Sequence, residues 1–420
     1  MLDIKFIREN KDLVEKHAKD KGIKIDISRL LDLDQKRRDL IQKTENLRSE
    51  QKKLGKEDIQ KAKSLKIEFC NLEEELKKIE IEFKKLMLLV PNIHSKDSPI
   101  GKDESENVII EKWGKIPEFK FPIKDHVQLG HDLDLIDLEI GTKVSGFRGY
   151  FLKNDLVRLE RAILSYALDK LAKKGFQIMR SPTLIKEFTL EGSGHFPFGS
   201  DNIYQVANPN ELTEQKKEEI FLAGTSESPL LAYWSDKTIE EKSLPKKMAG
   251  ISACYRSEIG SYGKDTKGLY RVHEFFKVEQ VIICSPEQSE KIFKELEDNA
   301  KEMLKDFNLP YRVKEICTGD MGAPKFKMRD IETWMPSRND YGETHSNSNL
   351  SDWQARRLNI KIQKNNDEKI FAHTLNNTMV ASPRILIAAM ENWQQKDGSI
   401  KIPKTLQKYT GFSDIKPPKK

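Results

Sequence analysis

The sequence predicts an α+β protein in two parts: an N-terminal antiparallel α-helical coiled-coil arm, then a larger domain of mixed strands and helices. Three observations carry that prediction. Leu65, Phe69, Leu72, Leu76, Ile79, Phe83 and Leu86 recur with alternating spacings of four and three, the seam of a coiled-coil helix. Upstream, Leu33, Leu40, Leu47 and Leu54 recur every seven residues. Beyond about residue 105, strand-like and helix-like runs alternate irregularly, without the β-α-β repeat of a doubly wound sheet.

The two seams flank Gly55-Lys56-Glu57-Asp58, residues suited to a turn, so they make a helical hairpin over about 28–90 inside an N-terminal domain of residues 1–100. At 1.5 Å per residue its limbs reach about 40 Å, too long and too polar to lie flat on a globular body. The hairpin should therefore stand out as an arm. Its flanks carry Lys36, Arg37, Arg38, Lys43, Arg48, Lys52, Lys53, Lys56, Lys61, Lys63 and Lys66 among acids. That pattern fits a solvated coiled-coil surface and equally a set of phosphate contacts. The stretch SKDSPIGKDESE reads as a linker into a second domain over 101–420. There, VRLERAILSYALDKLAKKG has helical spacing and ends on glycine, and FQIMRSPTLI follows as a strand whose Pro182 marks an edge or boundary.

Composition excludes several classes. A chain of 420 residues is long enough for two cores, and Lys+Arg 73 against Asp+Glu 67 leaves +6, which permits an anionic partner without requiring one. Cys70, Cys254, Cys284 and Cys317 show neither metal-ligand nor disulfide spacing, as expected in a reducing compartment. No uninterrupted apolar run approaches the roughly 18 residues of a membrane span, so a soluble cytoplasmic protein is expected. Neither GxxxxGK[ST] nor GxGxxG follows a strand, so any nucleotide is held in another way.

The chemistry-bearing residues cluster in the second domain. In MAGISACYRSE, alternation sends Ala249, Ile251, Ala253 and Tyr255 to a core face and Gly250, Ser252, Cys254, Arg256 and Glu258 to a shallow polar floor. In LYRVHEFFKVEQVII the same period groups Arg271, His273, Phe275 and Glu279. Thr225 and Glu227 share one side of an extended run and suit a small amino- or hydroxyl-bearing ligand. Glu343 and Ser346 in DYGETHSNSN belong either to a polar turn or to an oxygen set for Mg²⁺. Ser382 as N-cap and Pro383 start a helix that puts Arg384 in its first turn, where a cation opposes the dipole. A bound anion or a neighbouring acid would resolve that conflict.

In this order the motifs resemble the bacterial seryl-tRNA synthetases, of the class II aminoacyl-tRNA synthetases, over essentially the whole chain. The arm, the motif 1 helix and strand ending at Pro182, the TSE triplet, the motif 2 run from YRSE through RVHEFFKVE, TGDMG, SDWQARR and the motif 3 run NNTMVASPR all have counterparts. GETHSNSN departs from an EISS-type tetrad, with His345 where a small or aliphatic residue is usual. The resemblance implies a catalytic domain built on an antiparallel β-sheet flanked by helices. It implies a serine-tRNA ligase that converts L-serine and ATP to seryl-adenylate and charges tRNA(Ser), with tRNA(Sec) as a further acceptor left open.

The same resemblance implies Mg²⁺, an arm that grips the tRNA, and a homodimer built by motif 1. It puts Arg256 at the α-phosphate, Glu258 near the adenine amino group, Val272 and Phe275 against the base, and Arg384 at the terminal phosphate. Glu343 and Ser346 match the metal and phosphate contacts, and Ser257, Thr344 and His345 complete the ATP set. Thr225, Ser226, Glu227, Arg256, Glu279 and Thr378 form the serine set, and Arg256, Arg384 and Glu343 are the catalytic ones. A catalytically silent relative would lack Arg256, Glu279 or Arg384, and a ligase acting on a carrier protein would lack the arm; all of these are present.

Overall fold

The computed structural model describes residues 1–54, 58–207, 219–259 and 267–417. They fall into two compact units, Met1–Ile93 and His94–Lys420. In the first, short helices Ile4–Glu9 and Lys11–Asp20 precede long helices Ile27–Gln51 and Ile59–Leu89. Asp26 starts the third by accepting a hydrogen bond from the Arg29 amide at 2.8 Å. The two long helices pack antiparallel: Arg29 pairs with Glu82 at 2.8 Å, Arg37 with Glu80 at 3.5 Å and Arg48 with Glu73 at 3.0 Å. Leu33 and Leu40 are buried between them, and the seam from Leu65 to Leu86 is half-buried between exposed neighbours.

The hairpin uses part of its own charge. Arg37 and Arg48 lie over the rings of Phe83 and Phe69, at 5.2 and 4.8 Å, and Arg38 pairs with the buried Asp34 at 3.2 Å. Arg37 and Arg48 stitch the two helices together, Arg38 pairs within its own helix, and none of the three is free flank. Lys36, Lys43, Lys52, Lys53, Lys61, Lys63 and Lys66 do face solvent. The expected turn residues Gly55, Lys56 and Glu57 lie outside the described residues.

The stretch expected as a linker is docked onto the second unit. The Ser95 amide donates to Phe326 O at 2.7 Å and the Thr318 amide to Pro99 O at 2.9 Å. Gly319 permits the approach, since a Cβ there would sit 2.3 Å from Lys102 O. The Ser, Gly and Pro content thus serves close backbone contact.

The second unit is built on an eight-stranded sheet. In chain order its strands are β1 (Val108–Trp113), β2 (Gln177–Arg180), β3 (Lys246–Tyr255), β4 (Glu274–Cys284), β5 (Tyr311–Glu315), β6 (Lys327–Met335), β7 (Asp340–Asn349) and β8 (His373–Ala381). The spatial order is β1-β5-β6-β7-β8-β4-β3-β2, antiparallel except where edge strand β2 runs parallel to β3. Helices Asn154–Lys173, Ser289–Asp306 and Ser382–Trp393 enclose the main core with apolar residues of the sheet such as Val278, Ile282, Ile331 and Val380.

A row of amides fastens one of these helices. Gln280, Asn377 and Asn347 lie side by side across β4, β8 and β7. Asn377 Nδ2 donates to Leu296 O at 2.7 Å, Asn347 Nδ2 to Phe293 O at 2.9 Å, and Asn299 Nδ2 to Gln280 Oε1 at 2.7 Å. Each asparagine amide nitrogen finds a buried acceptor, while Oδ1 of Asn299, Asn347 and Asn377 has no hydrogen-bond partner among the described residues.

Three local expectations change. DYGETHSNSN is the strand β7, in the interior of the sheet, and not a turn. In β3 Ala249 and Ile251 do meet the main core, Ala253 and Tyr255 are half-buried, and the face of Gly250, Ser252 and Cys254, expected as an open polar floor, is itself buried. The segment after Thr225 covers it: a Cβ on Gly250 would meet Ser226 Cβ at 2.7 Å and Leu230 Cδ1 at 2.8 Å. Ser382 is inside its helix, with Ala381 at the N-cap.

Replacing Asn377 with alanine should cost about 0.5–1.5 kcal/mol, because the Leu296 carbonyl loses one buried donor and keeps the weaker one from Gln280 Nε2 at 3.3 Å. The check is urea denaturation, where the midpoint should fall with an unchanged slope. Lys43→Ala, on the exposed arm surface, should leave the midpoint where it was.

Candidate active site

A cavity of about 240 Å³ opens over β4, β8 and β7. Register sets the neighbours of the β4 side chains that line it. Phe275, Lys277 and Glu279 on β4 stand opposite Cys254, Ser252 and Gly250 on β3, so each large side chain faces a small one. On the other side Glu279 faces Thr378, whose Oγ1 donates to Glu279 Oε2 at 3.4 Å.

One end of the cavity holds two deeply buried carboxylates, Glu227 and Glu279, with Lys277 and Lys325 beside them. Glu279 is 1% exposed and forms an ion pair with Lys277, which is also buried. Burial pushes its carboxyl above the usual range, against the opposing pull of Lys277. Glu227 opens a short helix, Glu227–Ala232, so the extended run expected through Thr225 and Glu227 ends at Thr225. Gln354 Nε2 donates to Glu227 Oε1 at 2.7 Å, and Thr374 Oγ1 holds Gln354 Oε1 at 2.6 Å. Burial opposes the Glu227 charge, but Lys325, His195, Gln354 and Lys277 together outweigh it and hold the carboxyl below its usual range.

The other end is cationic. Arg256 lies 5.4 Å over the Phe275 ring, and its Nε donates to Gly224 O at 3.3 Å. Arg271 pairs with Glu258 at 3.0 Å. Arg384 Nη1 reaches both Glu343 O and Glu343 Oε2 at 3.0 Å. Glu343 is thus the neighbouring acid that balances a cation in the first turn of its helix. Loss of hydration works against the Glu343 charge, yet Arg384, helped by Arg256 and Arg271, keeps the carboxyl below the usual range.

Thr225, Glu227, Arg256, Glu258, Val272, Phe275, Glu279, Glu343, Thr344, Ser346, Thr378 and Arg384 all line this cavity. Glu343 and Ser346 are three apart on a strand and share a face because a bulge intervenes. His345 stands opposite Ile331 while Glu343 stands opposite Glu332, which leaves Thr344 as the extra residue. The same bulge turns His345 away. Its ring is buried beside Thr344, with Nδ1 2.8 Å from Thr344 Oγ1, and burial lowers its pKa to about 4. Ser226 lies beneath the floor, 2.7 Å from Ser252 Oγ, and Ser257 Oγ donates to Asp201 O at 2.5 Å. None of these three lines the cavity.

His273 is also displaced. Strand β4 starts at Glu274, so alternation does not extend back to His273, whose Nδ1 is 2.9 Å from Arg256 O. Residues 260–266 of the intervening Gly-rich loop lie outside the described residues. In the other direction, His195, Lys277, Lys325 and Asn376 line the cavity although sequence reasoning passed over them. Lys277 sat in plain view between Phe275 and Glu279 at the strand period. His195 and Lys325 come from loops, where no period points.

Next to Glu343, Asp330 faces Ser346 across β6 and β7, and Asp330 Oδ1 has no hydrogen-bond partner among the described residues. Burial and the charge of Glu343 push its carboxyl well above the usual range. Crowded acidic oxygens with an orphaned acceptor are a donor set that a small divalent cation would relieve.

Known proteins resemble this chain in sequence and fold. Residues 1–94 match the Seryl-tRNA synthetase N-terminal domain, and residues 204–393 match the tRNA synthetase class II core domain (G, H, P, S and T). The chain is 42% identical over 431 residues to a serine–tRNA ligase of Borrelia garinii subsp. bavariensis, covering 99% of each. It is 41% identical over 430 residues to that of Treponema denticola, covering 99% of this chain and 100% of the relative. The seryl-tRNA synthetase of Pyrococcus horikoshii complexed with ATP superimposes with a TM-score of 0.89 at 36% identity, over 100% of both chains. The cytoplasmic serine–tRNA ligase of Naegleria fowleri in complex with AMP gives a TM-score of 0.86 at 32% identity, over 100% of this chain and 99% of that one. With a class II sheet carrying this cavity and likeness along its full length, the chain belongs to the seryl-tRNA synthetase family.

Proposed function

We propose that this chain activates L-serine with ATP and transfers the serine to the 3′ end of a serine tRNA. The observation that carries the reading is the polarity of one cavity. Buried carboxylates at one end suit an ammonium and a hydroxyl, and Arg256, Arg271 and Arg384 around Phe275 at the other suit a nucleoside triphosphate.

In the first step a serine carboxylate oxygen attacks the α-phosphorus in line, and the bond from that phosphorus to the pyrophosphate oxygen breaks. No protein nucleophile is required. Arg256 neutralises charge at the α-phosphate and can orient the attacking carboxylate as well. Glu258 takes the adenine amino group, Val272 contacts the base through its backbone, and Phe275 stacks on it. Arg384 holds the terminal phosphate. Glu343 and Ser346 would hold Mg²⁺, with Asp330 beside them, and the ion would supply charge neutralisation for the departing pyrophosphate. A ribose hydroxyl of the terminal tRNA nucleotide then attacks the seryl carbonyl and AMP leaves.

Thr225 and Glu227 receive the serine ammonium, and Glu279 with Thr378 receives the hydroxyl. Because such a pocket leaves buried polar groups unpaired when the hydroxyl is missing, it should reject alanine by up to about 10⁴-fold. Exposed lysines of the hairpin track the tRNA backbone. A homodimer formed along edge strand β2 would cover Ile178 and Leu184, which are 40% and 59% exposed. Among the described residues no helix is long and apolar enough to cross a membrane, and all four cysteines are free, which supports a place in the reducing cytoplasm.

Arg256→Ala should abolish serine-dependent pyrophosphate exchange without changing thermal stability or oligomeric state. Exchange within a few-fold of the parent protein would remove Arg256 from its assigned role. Glu279→Gln should raise the KM for serine by about 10- to 100-fold, the size of one hydrogen bond to a charged group, and leave the KM for ATP alone. An unchanged preference for serine over alanine would count against that assignment.

The arm can be tested by itself. Exchanging residues 36–86 for a short turn should keep pyrophosphate exchange and eliminate tRNA serylation. Single charge removals at Lys52, Lys53, Lys61 or Lys63 should each reduce the log–log salt slope of tRNA binding by roughly 0.7 to 0.9 where a phosphate contact is lost. Normal serylation by the shortened protein would mean that the hairpin is only a solvated coiled coil.

A further inference from the structure

We infer that Tyr270 is a positioning residue for Arg384, holding its guanidinium at the phosphate end of the cavity through the face of its ring. The inference rests on the reading of Arg384 as the cation at the terminal phosphate of ATP. Three observations support it. The Arg384 guanidinium carbon lies 4.5 Å from the Tyr270 ring centroid, and Arg384 Nε donates to Tyr270 O at 3.3 Å. A second guanidinium, that of Arg338, lies over the same ring at 4.4 Å. On the strand side, Gly342 leaves the space the ring occupies, since a Cβ there would stand 3.0 Å from Tyr270 Cε2 and 2.9 Å from Met335 Cε.

The chemistry favours an aromatic group in this role. A long arginine side chain loses considerable rotamer freedom when it is fixed, so prior restraint raises affinity for whatever it binds. Restraint by an acid alone would neutralise the charge that an anionic ligand needs. Glu343 does pair with Arg384 at 3.0 Å, but it is also the residue assigned to the metal. A ring face attracts the cation and leaves its charge intact. Two guanidinium groups over one ring mark it as a cation platform more than as apolar filling.

The test uses the full-length chain, with serine-dependent pyrophosphate exchange and thermal denaturation on each variant. Tyr270→Leu should raise the KM for ATP about three- to tenfold, the worth of one cation–π contact, with the KM for serine unchanged. Tyr270→Phe keeps the ring face and should restore the parent value. Gly342→Ala crowds the ring from the strand and should repeat the leucine signature, which keeps the test open if Tyr270→Leu does not fold. Arg384→Ala is the reference. If Arg384→Ala exchanges normally, the role given to Arg384 fails first. If Arg384→Ala is inactive while Tyr270→Leu and Gly342→Ala keep the parent KM for ATP, only the role of Tyr270 is overturned. Equal damage from Phe and Leu, or equal rises in both KM values, would also overturn it.

Discussion

Glu279 is a carboxylate that water barely reaches, and the surrounding sheet is arranged to tolerate it. An uncompensated buried charge would cost several kcal/mol, so its partners must be placed by something rigid. The register of β3, β4 and β8 does this. It sets Lys277 beside Glu279 on the same strand face, Gly250 opposite on one neighbour and Thr378 on the other. A slip of one residue would turn every one of these groups to the other face, where the main core lies.

That other face is also polar along one row, and this has a purpose in the packing. Gln280, Asn377 and Asn347 alternate with cavity-lining neighbours and reach carbonyls and an amide of the helix Ser289–Asp306. Hydrogen bonds have a direction, so the row fixes the axial position of the helix where apolar packing alone would allow sliding. The rigidity behind the floor comes from the same strands that form it.

Charge is balanced within the cavity before any ligand arrives. Arg384 faces Glu343, Arg271 faces Glu258, and Lys277 faces Glu279. A bound anion therefore exchanges one set of partners for another, and the arginines do not have to be desolvated anew. The hairpin follows the same economy on a surface: Arg37 and Arg48 are taken up by the opposite helix, and the lysines remain at the solvent.

Periodicity alone determined a good deal of this protein. The heptad seams predicted the two long helices, the strand-like runs of the second domain predicted β3 and β4, and Pro383 predicted the start of the last long helix, because each depends on neighbours in the chain. The motif order named the family and with it most residues of the cavity. Tertiary structure decided what neighbours cannot encode. The bulge at Thr344 brought Glu343 and Ser346 to one face and sent His345 to the core, and strict alternation has no means of showing a bulge. Loops carried His195 and Lys325 to the end that holds Glu227 and Glu279, and cross-strand register brought Asp330 next to Ser346. The docking of residues 95–102 depended on backbone partners more than 200 positions away, at Thr318 and Phe326. Local propensity acts over a few residues, whereas the burial of a charge is settled by whichever distant segments meet around it.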